Sequence, residues 1–344
     1  MIHLLREDQE LFEIFSLKEE YNPIILDKHR RFNYYLSKNR NVFEPCVSKF
    51  LMEKGFFVNY PYGKKFAVCL THDIDSIYPF ISYSDIFINS LKKALYRQFR
   101  SAFHIAFHRI NRSWNSLWNF EEILKLERKY NAKSSFYIPC LRKGEFDFNF
   151  NIEDLSSELA VIIDSGSEVG LHGGYNSCND IENLNSEKER LEDVLGKEVL
   201  GYRNHYLRFT IPETWKILER AGFKYDSTLG YADCVGFRNG MCHPFLPYDL
   251  LENKLIGILE IPVAIMDKSL FGYMGLDMNM AERIVTLLIE YTAKYSGVLT
   301  ILWHNSYMDS QMQEFYEHIL KYCSEKGAWM TSGEEIYRWY SNYV

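Results

Sequence analysis

The feature that most constrains this chain is a repeated unit. A short apolar run is followed by a polar or ionisable residue and then by a segment with helical spacing. The apolar runs lie at 66–70, 134–138, 168–171, 199–202, 224–227, 258–263 and 298–302, with a short eighth at 329–331. Helical patterns lie near 118–130, 153–165, 185–196, 211–222, 279–295 and 311–326. Runs this short read as buried strands, and helices between them make neighbouring strands parallel. Seven or eight such units predict an α/β fold, an irregular (β/α)7–8 barrel. The turn signal Tyr60-Pro61-Tyr62-Gly63 sets off an N-terminal extension, 1–62, from a barrel over 63–344. A helical insertion, about 76–117, interrupts the rhythm after the first strand.

In a parallel barrel the working groups sit at the C-terminal ends of strands. Five of the runs end in chemistry: Thr71-His72-Asp73-Ile74-Asp75, His172-Gly173-Gly174-Tyr175-Asn176, Arg203-Asn204-His205-Tyr206, Asp226-Ser227-Thr228 and Trp303-His304-Asn305. Polar groups in that register are costly unless they converge on a wet cleft or an ion. Asp73 and Asp75 would repel each other if both reached one site. A divalent cation removes the conflict by ligating one and leaving the other as a base. A capping Asp beside a surface Asp is the plainer alternative. His172, next to two glycines, can present its ring on closely approaching backbone. His72 reads as structural, and Asp226 as a brace at its strand end.

Taken together, these residues resemble the polysaccharide deacetylase superfamily (NodB homology, carbohydrate esterase family four). The likeness covers about 64–344 and rests on the Asp pair, the His172 loop, Arg203–Tyr206, Leu302-Trp303-His304 and the tail after Ala328. It implies that Asp73 is the base, Asp75 and His172 are metal ligands, and His304 is the general acid. It also implies a divalent metal, with zinc preferred. Two positions depart from the pattern: Asn176 stands where the family has a second His, and His205 stands where it has Pro. His205 is a proper third ligand for zinc, whereas an Asn amide is a weak one. The alternatives are ligation by Asn176 and a metal-free site. Arg203, Tyr206, Asn176, Arg238 and Trp303 are candidate substrate contacts, with Tyr231 a further aromatic that could stack on a sugar.

The implied activity is hydrolysis of an N-acetyl or similar acyl group from an amino sugar in a surface polysaccharide or its nucleotide- or lipid-linked precursor. Two other readings stand beside it: a non-catalytic glycan-binding protein on a degenerate deacetylase fold, and a glycoside hydrolase. A net charge of −7 gives no basic surface for nucleic acid. The odd count of seven cysteines, with no C-x-x-C pair, points to a reducing compartment. With no secretory pattern at the start and no long apolar stretch, the expectation is a cytoplasmic protein. Segment 91–112 carries six Lys/Arg and no Asp/Glu with apolar residues at helical spacing. It reads either as a basic amphipathic helix that lies on an anionic membrane or recognises an anionic glycan carrier, or as a barrel-packed helix with a solvated basic face.

Overall fold

The structure, a computed structural model, describes residues 1–78, 83–99, 102–103, 115–141, 148 and 150–342. Its centre is a curled parallel sheet with strand order β8-β5-β4-β3-β2-β1-β10-β9. The strands are β1 (Phe66–Asp73), β2 (Ser135–Ile138), β3 (Glu168–Gly173), β4 (Gly201–Asn204), β5 (Tyr225–Asp226), β8 (Leu259–Glu260), β9 (Val263–Met266) and β10 (Val298–Leu302). A further strand, β11 (Ala328–Thr331), pairs with the first half of β1, while β2 pairs with its last residues. A small antiparallel pair, β6 (Tyr248–Asp249) and β7 (Lys254–Leu255), stands apart. All eight residues of β1 are buried, as a central strand covered on both faces requires.

Register decides which side chains meet. Asp73 pairs with Tyr137, Thr71 with Leu302, and His172 with Arg203. The ends of β1, β3, β4 and β10 therefore come level at one rim. One expected strand is wrong in outline. The run 258–263 is two strands, because Pro262 has no N–H for the ladder and the chain re-enters the sheet as β9. β9 was not anticipated, and it matters because it delivers Asp267 and Lys268.

Residues 1–62, with helices α1 (Ile2–Leu5), α2 (Gln9–Phe15) and α3 (Cys46–Glu53), fold onto the barrel. Leu5, Phe12, Phe15, Val47 and Leu51 join one apolar cluster with Met241, Phe245 and Tyr248. Full burial of such side chains is worth roughly 1.5–3 kcal/mol each. Glu20 and Arg238 form a buried ion pair across the same junction. In the insertion, a helix α4 (Tyr83–Leu95) is present. Of segment 91–112, positions 100–101 and 104–112 lie outside the described residues.

Candidate metal centre and cleft

Three imidazoles and three carboxylates meet at the rim. Asp75 Oδ1 lies 3.2 Å from His172 Nε2 and 3.7 Å from His205 Nε2. Asp75, His172 and His205 each offer one ligand atom, and these atoms all lie within 4.8 Å of one another. His172 Nδ1 is 3.1 Å from the carbonyl of Arg203. That acceptor holds the proton on Nδ1 and leaves the Nε2 lone pair facing Asp75. Asp75 Oδ1 and His172 Nε2 are buried and face each other, and neither has another hydrogen-bond partner. A cation between them would satisfy both. The residues present fit a divalent ion with an open position.

Local backbone geometry sets up each ligand. Gly173 lies against Tyr202 so closely that a Cβ would run into the phenol ring. His205 opens a short turn in which Tyr206 has φ +62°, a region costly for a non-glycine residue. The extension holds this turn. Arg31 donates to the Tyr206 carbonyl at 2.8 Å, and His29 stacks on the Tyr206 ring at 4.4 Å. Arg31 is itself held by Asp27 and by the Tyr273 hydroxyl.

Beside the ligand trio, Asp73 is 3.8 Å from His172 Nε2 and 3.8 Å from Arg203 Nη1. Across from it, His304 Nδ1 lies 2.6 Å from Asp267 Oδ1, and its Nε2 lies 3.6 Å from Asp75 Oδ2. Lys268 Nζ completes the ring at 2.6 Å from Asp75 Oδ2. These groups open onto a cleft of about 480 Å³ lined by Arg31, Asp73, Asp75, Tyr78, His205, Tyr206, Lys268, Tyr273 and His304 among others.

The electrostatics divide the two candidate imidazole ligands. Burial lowers His205 to about 3; Asp75 opposes the shift, while His172, Lys268 and His304 add to it. Burial also works against protonated His172, but Asp73 and Asp75 together hold it above the ordinary value. Burial would raise Asp75, yet Lys268, His172, His304 and His205 hold it well below the usual carboxylate range. Lys268 is desolvated too, and Asp75 more than offsets that, raising its value.

Several expected contacts lie elsewhere. Trp303 is fully buried, donates to the Tyr307 carbonyl at 2.8 Å and stacks on Tyr316, so it cannot face a sugar. Arg238 is buried, and its guanidinium is taken by Glu20 and the Gly230 carbonyl. Arg203 is fully buried and bonds Thr71 and Ser227, so it faces Asp73 from below. Asn176 is exposed on the turn after β3 and does not line the cleft. Tyr231 is buried with Arg238 over its ring. Tyr206 does line the cleft. His72 is structural, with its nitrogens on the Trp303 carbonyl and Glu127. Sequence reasoning missed Asp267, Lys268 and Arg31. The first two follow an apolar run, Val263–Met266, and the strand-end rule would have found them had Pro262 been read as a break.

The chain is similar to a solved structure named as a polysaccharide deacetylase from Mycobacterium smegmatis, with 18% identity and a TM-score of 0.56 over 83% of this chain and 94% of that one. The fold is that of the polysaccharide deacetylases. A peptidoglycan deacetylase of Helicobacter pylori is 31% identical over 119 residues, which is 32% of this chain and 37% of that protein. The matched stretch is thus little more than a third of the relative's length. No protein-family model matches the chain. On the polysaccharide deacetylase fold, the observed rim is the one formed by β1, β3, β4, β9 and β10.

Proposed function

We propose that this protein is a divalent-metal-dependent hydrolase that removes an N-acetyl or similar acyl group from an amino sugar. The observation that carries the reading is the convergence of Asp75, His172 and His205 beside a second carboxylate, Asp73, and a carboxylate-held imidazole, His304. The likeness to deacetylases supports the same chemistry. Asp75, His172 and His205 would hold the ion, and a carboxylate–imidazole set with an open position suits zinc. When bound, such an ion polarises an amide carbonyl and acidifies water.

The protein's own groups do the rest. Asp73 takes a proton from the attacking water as its oxygen bonds to the acyl carbon. Arg203, buried below at 3.8 Å, orients the Asp73 carboxylate. The C–N bond then breaks, and the proton on His304 Nε2 goes to the leaving nitrogen. Asp267 holds the Nδ1 side of that ring, so Nε2 faces the cleft. The products are a carboxylic acid and a free amino sugar. Tyr206 and Tyr273 line the cleft and offer surfaces for a sugar ring. A nucleotide- or lipid-linked precursor of a surface polysaccharide is the substrate class we favour. All seven cysteines are free, which suits the reducing cytoplasm.

The test is elemental analysis of purified wild type beside His172→Ala, His205→Ala and Asn176→Ala. A stoichiometric divalent ion, lost in both His variants and kept in the Asn variant, supports the reading. A wild type that binds no ion in excess zinc sinks it and favours a glycan-binding protein.

A further inference from the structure

Helix α4 presents an apolar stripe to solvent. Phe87 is 69% exposed, Ile88 47%, Leu91 50% and Leu95 74%. On a helix these four fall within roughly 100° of arc. Tyr96 and Phe99 continue the exposed apolar surface beyond the helix, at 78% and 67%. Scattered exposed apolar residues are ordinary, but a contiguous stripe marks a contact surface. The charge around it is one-sided. Between Asp85 and Glu121 the chain has six Lys/Arg and no acidic residue, in a protein of net charge −7. Lys92 and Lys93 are exposed on the helix, and Arg97 is exposed just after it.

We infer that α4 is a peripheral docking helix for an anionic phospholipid surface. The apolar stripe would sink to the acyl boundary while Lys92, Lys93 and Arg97 pair with headgroups. A second copy of the chain is the other candidate occupant. Two-fold pairing would set these basic residues against their own copies, with Asp85 the one acidic residue on α4 against Lys92, Lys93 and the four arginines that follow. An anionic surface has the complementary charge. At 13 residues, α4 spans about 20 Å, short of a hydrocarbon core of about 30 Å, so it would lie on the surface. Tyr78 lines the cleft, and α4 begins only five positions later in the chain. A docked α4 would therefore tie the rim that carries Asp73 and Asp75 to the membrane, where a lipid-linked amino sugar resides. That last step rests on the proposed deacetylase activity, whereas the docking itself does not.

The experiment is co-sedimentation of the full chain with vesicles of phosphatidylglycerol and phosphatidylcholine in equal parts, and with phosphatidylcholine alone, at low and high salt. Binding to the anionic vesicles alone, weakened by salt, is expected. Lys92→Glu/Lys93→Glu and Leu91→Asp/Leu95→Asp should each lower the partition coefficient by on the order of tenfold or more. Because these side chains are exposed, an unchanged circular dichroism spectrum will show that the variants fold. Equal binding to neutral vesicles, or no binding to anionic ones, overturns the inference. So does a lipid-free dimer, by sedimentation velocity, that Leu91→Asp/Leu95→Asp dissolves. Loss of metal or of hydrolysis with vesicle binding intact would count against the enzymatic reading alone.

Discussion

His304 gives its Nδ1–H to Asp267 Oδ1 at 2.6 Å, and the other Asp267 oxygen accepts the backbone N–H of His304. Both carboxylate oxygens thus hold one residue, fixing the ring's tautomer and its direction. Asp267→Asn removes that control. It should lower kcat at least about a hundredfold while leaving metal content and KM near wild type. Steady-state kinetics on an acetylated amino sugar, with metal analysis alongside, checks this. A variant with unchanged kcat would remove Asp267 from the mechanism.

The two proposed proton carriers can be tested in the same assay. Asp73→Asn and His304→Ala should each lose at least about a hundredfold in kcat, the usual worth of a general base or acid. Neither is among the three proposed metal ligands, so both variants should retain the ion. Near-wild-type turnover in both would refute these roles.

Lys268 sits on Asp75 at 2.6 Å, where its ammonium opposes a cation at the neighbouring oxygen. Lys268→Met should tighten zinc binding by about tenfold, and Lys268→Arg should leave it near wild type. Competition against a chromophoric chelator measures this directly. Equal or weaker affinity in Lys268→Met would mean that the lysine orients Asp75 more than it competes.

His243 gives a pH signature away from the site. It is buried between the Ser48 hydroxyl and the Ser296 carbonyl, and burial lowers it from the ordinary 6.5 to about 4. The unfolded chain takes up this proton near the ordinary value, and the folded chain only near 4. The stabilising contribution is therefore complete above about 6.5 and is lost as pH falls towards 4, amounting to about 3 kcal/mol. Glu168, raised by burial to about 7, slopes the opposite way over a similar range. The readout is thus the difference in urea-unfolding free energy between wild type and His243→Gln, which should shrink as pH falls. A difference constant with pH would reject the assignment.

The ion pair of Glu20 with Arg238 tests how firmly the extension is held. Glu20→Ala leaves a buried guanidinium uncompensated and should cost about 3–5 kcal/mol. Glu20→Leu/Arg238→Met removes both charges and should restore most of that loss, as denaturant melts would show. Equal costs for the single and double variants would mean that the charges themselves contribute little.

The parallel sheet and the positions of Asp73, Asp75, His172 and His304 were legible in the chain. Strand periodicity and the apolar-then-polar rule are local signals that need no partner. His205 was legible as a candidate for the same reason, since it follows the run that became β4. What the chain could not display is which distant groups meet. Arg31 reaches the Tyr206 carbonyl across 175 positions, and Glu20 reaches Arg238 across 218. Arg203 reads the same in sequence whether it faces the cleft or Asp73, and only burial separates the two. Trp303 lies beside His304 in the chain but packs in the apolar cluster with Leu299 and Ile301, whereas His304 lines the cleft with Leu302. The exposure of α4 was equally hidden, since its pattern suits either a barrel-packed helix or a free one. Local sequence thus determined most of the strands and most of the residue types on the rim, β9 with Asp267 and Lys268 excepted. Tertiary packing alone decided which lone pairs share a point, which charges are neutralised and which apolar face is left uncovered, because those depend on distances between segments far apart in the chain.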